Sequence, residues 1–236
     1  MRAWPSRCAV CRGWGRSALC AACIGRFAAP LPRCRRCGVG LAVAAPACGA
    51  CLANPPPFER TVCALDYGFP WQGLITRFKF EGAVDLARPL AERLAAAVRD
   101  AGIDQPDCVV PVPLSRSRLA ERGFNQAWEL ARRVARQRGI PALPHAVLRA
   151  IDTPHQAGLE RQARLSNLHG AFTVAAPYRG RLAGQHVALV DDVMTTGATV
   201  AAAAAALQRV GVARVQIWVL ARTPAPADAG SGDITT

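Results

Sequence analysis

Lysine is almost missing from this 236-residue chain: Lys79 stands alone, and arginine supplies the rest of its 29 basic residues. Acidic residues are also few, 16 in all, so the formal net charge is +13 and the isoelectric point lies near 10.3. That balance favours polyanionic partners such as nucleic acid, phosphorylated ligands or an anionic membrane face. The arginine and alanine bias also fits a GC-rich coding sequence, which weakens charge alone as an argument for binding. No apolar run approaches the about 20 residues that cross a bilayer, which excludes membrane insertion through a helical span. Cysteines and arginines break up the N-terminal stretch, so it lacks an apolar segment of signal-peptide type, and a cytoplasmic location is expected. No Gly-Lys-Ser/Thr occurs, which excludes a Walker A loop. His155 and His169 have no serine or acid at triad spacing and receive no catalytic role.

Cysteine, by contrast, is concentrated. Eight of the ten form C-x-x-C pairs, Cys8/Cys11, Cys20/Cys23, Cys34/Cys37 and Cys48/Cys51. Two thiolates at this spacing face one metal ion from a knuckle turn, and two knuckles complete a tetrahedron. The pattern predicts two zinc sites of four cysteines each, a double-zinc-ribbon-like module over residues 1–58. Pairing is either sequential or an interleaved cross-brace. A cytoplasmic setting argues against disulfides. Gly13, Gly38 and Gly49 fall where tight turns around the metal need them. With few regularly spaced apolar residues, the module should depend on metal to fold. Trp4 and Trp14, set among Arg2, Arg7, Arg12 and Arg16, either pack over a metal site or stack on bases. Ala53 to Phe58, with three consecutive prolines, reads as a stiff extended linker.

A larger unit, residues 59–223, follows, with an expected disordered tail at 224–236. Arg60–Phe69 alternates as a strand, and Trp71–Phe80 carries Leu74, Ile75 and Phe78 at helical spacing. On spacing alone, Arg77 and Lys79 are solvated charges of that helix. Asp85–Asp100 is an amphipathic helix ended by Gly102. Cys63 and Cys108 sit in apolar surroundings as core residues. Cys108–Val112 is a short buried strand running into a basic, hydroxyl-bearing loop, Pro113 to Arg118. Arg122-Gly123-Phe124-Asn125-Gln126 then opens a helix to about Arg138. Arg116, Arg118 and Arg122 are candidates for a diphosphate side of a site, or else a solvated helix face. Arg149–Phe172 is polar, broken by Pro154 and Gly158, and reads as a lid in which Gln156, Arg164 and Asn167 close on a ligand. Val212–Ala221 is a final buried strand.

The most informative stretch is Val187–Thr199, V-A-L-V-D-D-V-M-T-T-G-A-T. A four-residue apolar run predicts a strand buried on both faces. Asp191 and Asp192 follow it, then Val193-Met194 and the turn Thr195-Thr196-Gly197-Ala198-Thr199, then an alanine-rich helix over 200–210. A turn that opens a helix offers free N–H groups and the positive dipole end to an anion. Gly197 allows close approach of a phosphate, and the threonines add hydroxyl donors. Adjacent carboxylates suit the two hydroxyls of a ribose. Together these features describe a 5-phosphoribosyl group.

This stretch resembles the phosphoribosyl diphosphate (PRPP) loop of type I phosphoribosyltransferases. Read with the C-x-x-C pairs, the Pro-rich junction, Lys79, V-P-V-P-L, R-G-F-N-Q and Gln156 to Asn167, the chain resembles the ComF family over nearly its full length. The resemblance implies an α/β fold: a type I phosphoribosyltransferase-like parallel sheet with flanking helices, plus a small N-terminal four-cysteine zinc-binding module. It implies PRPP with Mg²⁺ at Asp191–Thr199 and places Lys79 in the phosphate-binding set. It also implies a role in natural competence, handling incoming single-stranded DNA with a helicase partner. Active phosphoribosyl transfer to an unidentified acceptor, PRPP sensing, and the related GntX branch, associated with gluconate metabolism, are the alternatives.

Overall fold

The computed structural model describes residues 6–150 and 170–224. The lid residues Gln156, Arg164 and Asn167, together with Trp4, lie outside the described residues, as does the tail from 225. In chain order the elements are β1 (Ser6–Arg7), β2 (Trp14–Gly15), α1 (Ala21–Phe27), α2 (Gly49–Ala53), β3 (Arg60–Asp66), α3 (Trp71–Phe80), α4 (Ala87–Asp100) and β4 (Cys108–Pro111). Then come α5 (Arg116–Arg122), α6 (Gln126–Arg138), β5 (Val147–Arg149), β6 (Phe172–Val174), α7 (Arg179–Leu182), β7 (His186–Met194), α8 (Ala198–Gln208) and β8 (Arg214–Arg222).

β3, β8, β7 and β4 form a four-stranded sheet in that order, and every pairing is parallel. Such strands are covered on both faces, which is why β4 and β7 from Val187 to Val190 are apolar at every position. Ala188, Val190, Trp218 and Leu220 face a core shared with α3, α4 and α6. Val187, Leu189, Ile217 and Val219 face a second core with α8 and the β5–β6 pair. α3 buries Leu74, Ile75 and Phe78, the positions its periodicity predicts, and also Trp71 at its start. β5 and β6 pair antiparallel from Val147↔Val174 to Arg149↔Phe172. Among the described residues no helix is long and apolar enough to cross a membrane.

Two expectations change. The basic stretch after β4 is a helix, α5: the Ser115 hydroxyl caps it by accepting the Arg118 amide at 3.3 Å, and left-handed Gly123 (φ 76°) ends it. The cysteine module, expected to depend on metal to fold, also packs against the larger unit. Leu19 is buried in the first core, with Ile24 and Phe27 packed against it. The Trp71 indole donates to the Phe27 carbonyl at 2.6 Å. The second half of the module covers β3, the edge strand: the Thr61 amide donates to Arg35 O at 2.8 Å, and Arg33 pairs with Asp66 at 2.8 Å. Gly38 (φ 71°) lies so close that a Cβ there would meet Thr61 Cγ2 at 2.9 Å. An open edge strand is thereby shielded from pairing with other chains.

The proline run ends in an anchor, since Phe58 is 4 % exposed within the second core and Pro57 O accepts from the Gln208 side chain at 3.0 Å. Phe58→Ala should therefore cost about 3–5 kcal/mol in urea unfolding. A loss below about 1 kcal/mol, the level of ordinary surface changes, would show the junction to be a free tether.

Candidate functional site

The parallel register brings the carboxyl ends of all four strands to one edge, where open α/β sheets bind ligands. β7 reaches farther along that edge than its composition suggests. It runs through Asp191 and Asp192 to Met194, which pairs with Arg222. The acids were expected just beyond the strand; they lie inside it, because β8 is equally long and its ladder carries β7 onward. Successive residues of a strand point to opposite faces, so the acids are not presented side by side. Asp192 is 8 % exposed and ion-paired to Lys79, Nζ to Oδ1 3.0 Å. Asp191 is half-buried, and its carboxylate accepts the Asp192 amide at 2.9 Å. Burial, then the Asp192 charge, raises the Asp191 carboxyl to about 7, against the pull of Lys79 and Arg122.

Lys79 is thus no freely solvated charge. The buried Gln126 side chain donates to the Lys79 carbonyl at 3.3 Å and accepts from Arg122 Nη1 at 3.3 Å. Arg122 also lies over the Phe80 ring at 4.7 Å, and Phe124 packs on Phe78 at 5.6 Å. Asn125 caps α6, accepting the Ala127 amide at 3.0 Å, and donates to Val112 O at 3.1 Å. The R-G-F-N-Q stretch therefore braces α3, β4 and α6 around the acids. Arg122 is brought to the site; Arg116 is exposed and Arg118 half-exposed on α5, and among the described residues neither forms an ion pair.

The turn after β7 is open. Thr195 and Thr196 are exposed, and Gly197 (φ 85°) enters α8 in the left-handed conformation. The Thr196 hydroxyl accepts the Ala198 amide at 3.3 Å, while among the described residues the amides of Thr195, Thr196 and Gly197 have no acceptor. Val193 and Met194 pack inward, and Thr199 lies in the first turn of α8. The carbonyls of this turn face away from solvent, toward Arg222. Its guanidinium donates to Met194 O at 3.1 Å, to Thr195 O, to Thr223 O at 2.9 Å and to Cys37 O at 3.0 Å. Sequence reasoning missed Arg222. Its signal was a lone charge closing a buried strand at the same sheet edge. With the carbonyls tied back, the amides and hydroxyls remain for an anion beside a partly protonated carboxyl.

The cysteines group sequentially, Cys8/Cys11/Cys20/Cys23 and Cys34/Cys37/Cys48/Cys51, and within each group all four sulfurs lie within 4.8 Å of one another. Either group could hold a metal ion. Burial pushes the Cys8 thiol up, but the amides of Cys11, Cys20 and Val10 outweigh it and bring it to about 6; Cys34 falls to about 7 the same way. Burial raises Cys23 to about 12. In the first knuckle Arg12 (φ 61°), not Gly13, takes the left-handed conformation. Trp14 is 70 % exposed under the Arg7 guanidinium at 4.7 Å, so it does not pack over the cluster.

The Asp191 carboxyl keeps its proton to about pH 7 in the folded chain, against 3.8 for an ordinary aspartate. Between those values the folded form binds more protons, so stability falls as pH rises from about 4 to about 7. Asp191→Asn should remove that decline in denaturant midpoints measured at pH 5 and 8; an unchanged difference would show that Asp191 does not titrate there.

Residues 90–234 match the phosphoribosyl transferase domain family. The chain is 38 % identical to competence protein F of Haemophilus influenzae over 92 % of this chain and 96 % of that one. It is 37 % identical to the DNA utilization protein YhgH of Salmonella typhimurium over 93 % and 98 % of the two chains. Against competence protein ComFC of Bacillus subtilis the identity is 29 %, over 63 % of this chain and 58 % of that one. With its paired four-cysteine clusters ahead of a phosphoribosyl transferase domain, this chain belongs to the ComF family.

Proposed function

We propose that this protein binds PRPP with Mg²⁺ at the turn between β7 and α8. We place it in the cytoplasm, handling single-stranded DNA during natural transformation beside a competence helicase. One observation supports the ligand above all: an open helix start where, among the described residues, the amides of Thr195, Thr196 and Gly197 have no acceptor, shortly after a carboxylate pair. The 5-phosphate rests on the backbone of residues 193–199 and on the hydroxyls of Thr195, Thr196 and Thr199. Ribose hydroxyls donate to Asp191, and to Asp192 once Lys79 turns toward the diphosphate. Arg122, with Arg116 and Arg118 on α5, faces the diphosphate. The hard carboxylate oxygen of Asp191 suits Mg²⁺, which when bound neutralises the diphosphate. The DNA role is supported by the names of the relatives, competence protein F and DNA utilization protein, and by the +13 charge.

Phosphoribosyl transfer is the second reading. It is favoured by the Asp191 carboxyl, whose titration at about 7 suits proton exchange with an acceptor near neutral pH.

We assign residues 1–58 to a zinc module and 59–223 to the phosphoribosyltransferase-type domain. Zinc–sulfur bonds of about 2.3 Å in a tetrahedron imply sulfurs about 3.8 Å apart. Cys11 and Cys20 stand at 3.8 Å, and Cys37 and Cys48 at 3.7 Å. Amide donors to Cys8 and Cys34 at 3.3–3.4 Å suit thiolates. A reducing cytoplasm keeps such thiols available for metal.

Metal analysis of the purified chain should return about two zinc ions per molecule. No zinc, with free thiols and an intact fold, would remove that assignment. Calorimetry with PRPP and Mg²⁺ should give a binding heat that Asp191→Ala with Asp192→Ala abolishes; equal heat from the variant would sink the site. Diphosphate release across a panel of acceptor bases separates transfer from binding alone.

A further inference from the structure

A cleft of about 560 Å³ lies away from the β7–α8 turn, between the cysteine module and α4. Its floor is β3 from Arg60 to Ala64. One wall is the module from Ala28 to Arg35, and the other runs along α4 from Arg93 to Ile103 beyond its end. Its volume is that of a small-molecule site.

The charge within it is one-sided. Arg33, Arg35, Arg60 and Arg93 line it against a single acid, Asp100. Two of these charges are already engaged: Arg33 holds Asp66 at 2.8 Å and Gly38 O at 3.1 Å, and Asp100 accepts from Arg99 at 3.1 Å. Among the described residues, Arg35, Arg60 and Arg93 have no ion-pair partner, and the Nε–H of Arg93 is buried with no acceptor. A buried N–H without an acceptor is costly, and a bound anion would supply one to Arg93. Three arginines offer the fork-shaped donors that phosphate oxygens match. Between them Pro30, Leu31, Val62, Ala97 and Ile103 provide apolar walls, which a bare phosphate does not need and a nucleobase does.

We propose that this cleft is a second anion site that binds a nucleotide, its phosphate on Arg35, Arg60 and Arg93 and its base against the apolar walls. The same chemistry is offered by a free mononucleotide and by the 5′-phosphorylated end of a DNA single strand. The site is separate from the sugar-phosphate turn and does not depend on PRPP binding there.

The test uses the full zinc-loaded chain at low salt, with thymidine 5′-monophosphate and a 5′-phosphorylated oligothymidylate as probes. Arg60→Gln with Arg93→Gln should weaken binding at least about tenfold, because charge-assisted contacts carry it. The same variant should keep its PRPP heat, while Asp191→Ala with Asp192→Ala should bind the nucleotide probes like the unmodified chain. Should the double arginine variant melt early, Arg35→Gln on the exposed rim is the substitute, and a weakening of about threefold or more is expected. Capture of the monophosphate assigns a free nucleotide; capture of the oligonucleotide alone assigns a strand end. Binding of neither probe, binding undiminished by the arginine changes, or loss of nucleotide binding in the aspartate variant would overturn the proposal.

Discussion

Two neighbouring carboxylates on a central strand of a buried parallel sheet must be neutralised, and much of the architecture around them serves that need. Lys79 supplies the charge to Asp192 from the end of α3. For Lys79 to arrive there, α3 must be fixed in rotation and height. Trp71, Leu74, Ile75 and Phe78 seat it against the sheet, and Gln126 holds the Lys79 carbonyl itself. A compact ammonium on a flexible stem reaches a single carboxylate oxygen without the planar fit that a guanidinium fork requires. In a chain whose other basic residues are arginines, that difference gives the single lysine a physical reason. Asp191 lacks so close a partner and answers burial by holding its proton, with its carboxyl raised to about 7.

A second constraint joins the parts of the chain. Arg222 closes β8 with donors to Met194, Thr195 and Thr223 carbonyls on one side and to the carbonyl of Cys37 on the other. One buried guanidinium thus ties the turn between β7 and α8 to Cys37 of the second cysteine cluster. Since the same cluster's loop also covers the edge strand β3, the module is part of the support of the site. The arginine cleft lies in the same seam, where module and sheet meet without filling the space between them.

Local signals in the chain were strong where backbone and chemistry agree. The spacing of Leu74, Ile75 and Phe78 forecast the buried face of α3, and the C-x-x-C pairs forecast two four-sulfur groups. The T-T-G-A-T turn forecast the start of a helix, and α8 begins at Ala198. Failures came where an element's fate depends on its neighbour. β7 extends through two charged residues because β8 offers a ladder that far. The stretch around Arg116 became helix because Ser115 and Gly123 cap it, although it reads as a basic loop. Trp14 stands exposed to solvent with the Arg7 guanidinium over its ring, a contact that spacing alone does not reveal.

By itself, then, the order of residues determined the α/β class, the metal-type cysteine spacing, the anion-ready turn and the acids before it. These depend on periodicity, turn chemistry and ligand spacing over a few residues. Only the tertiary structure decided that Lys79 neutralises Asp192, that Arg222 holds the turn's carbonyls, that the cysteines group sequentially, and that four arginines share a cleft. Each of those joins residues far apart in the chain, and their distances follow from how helices and module pack on the sheet.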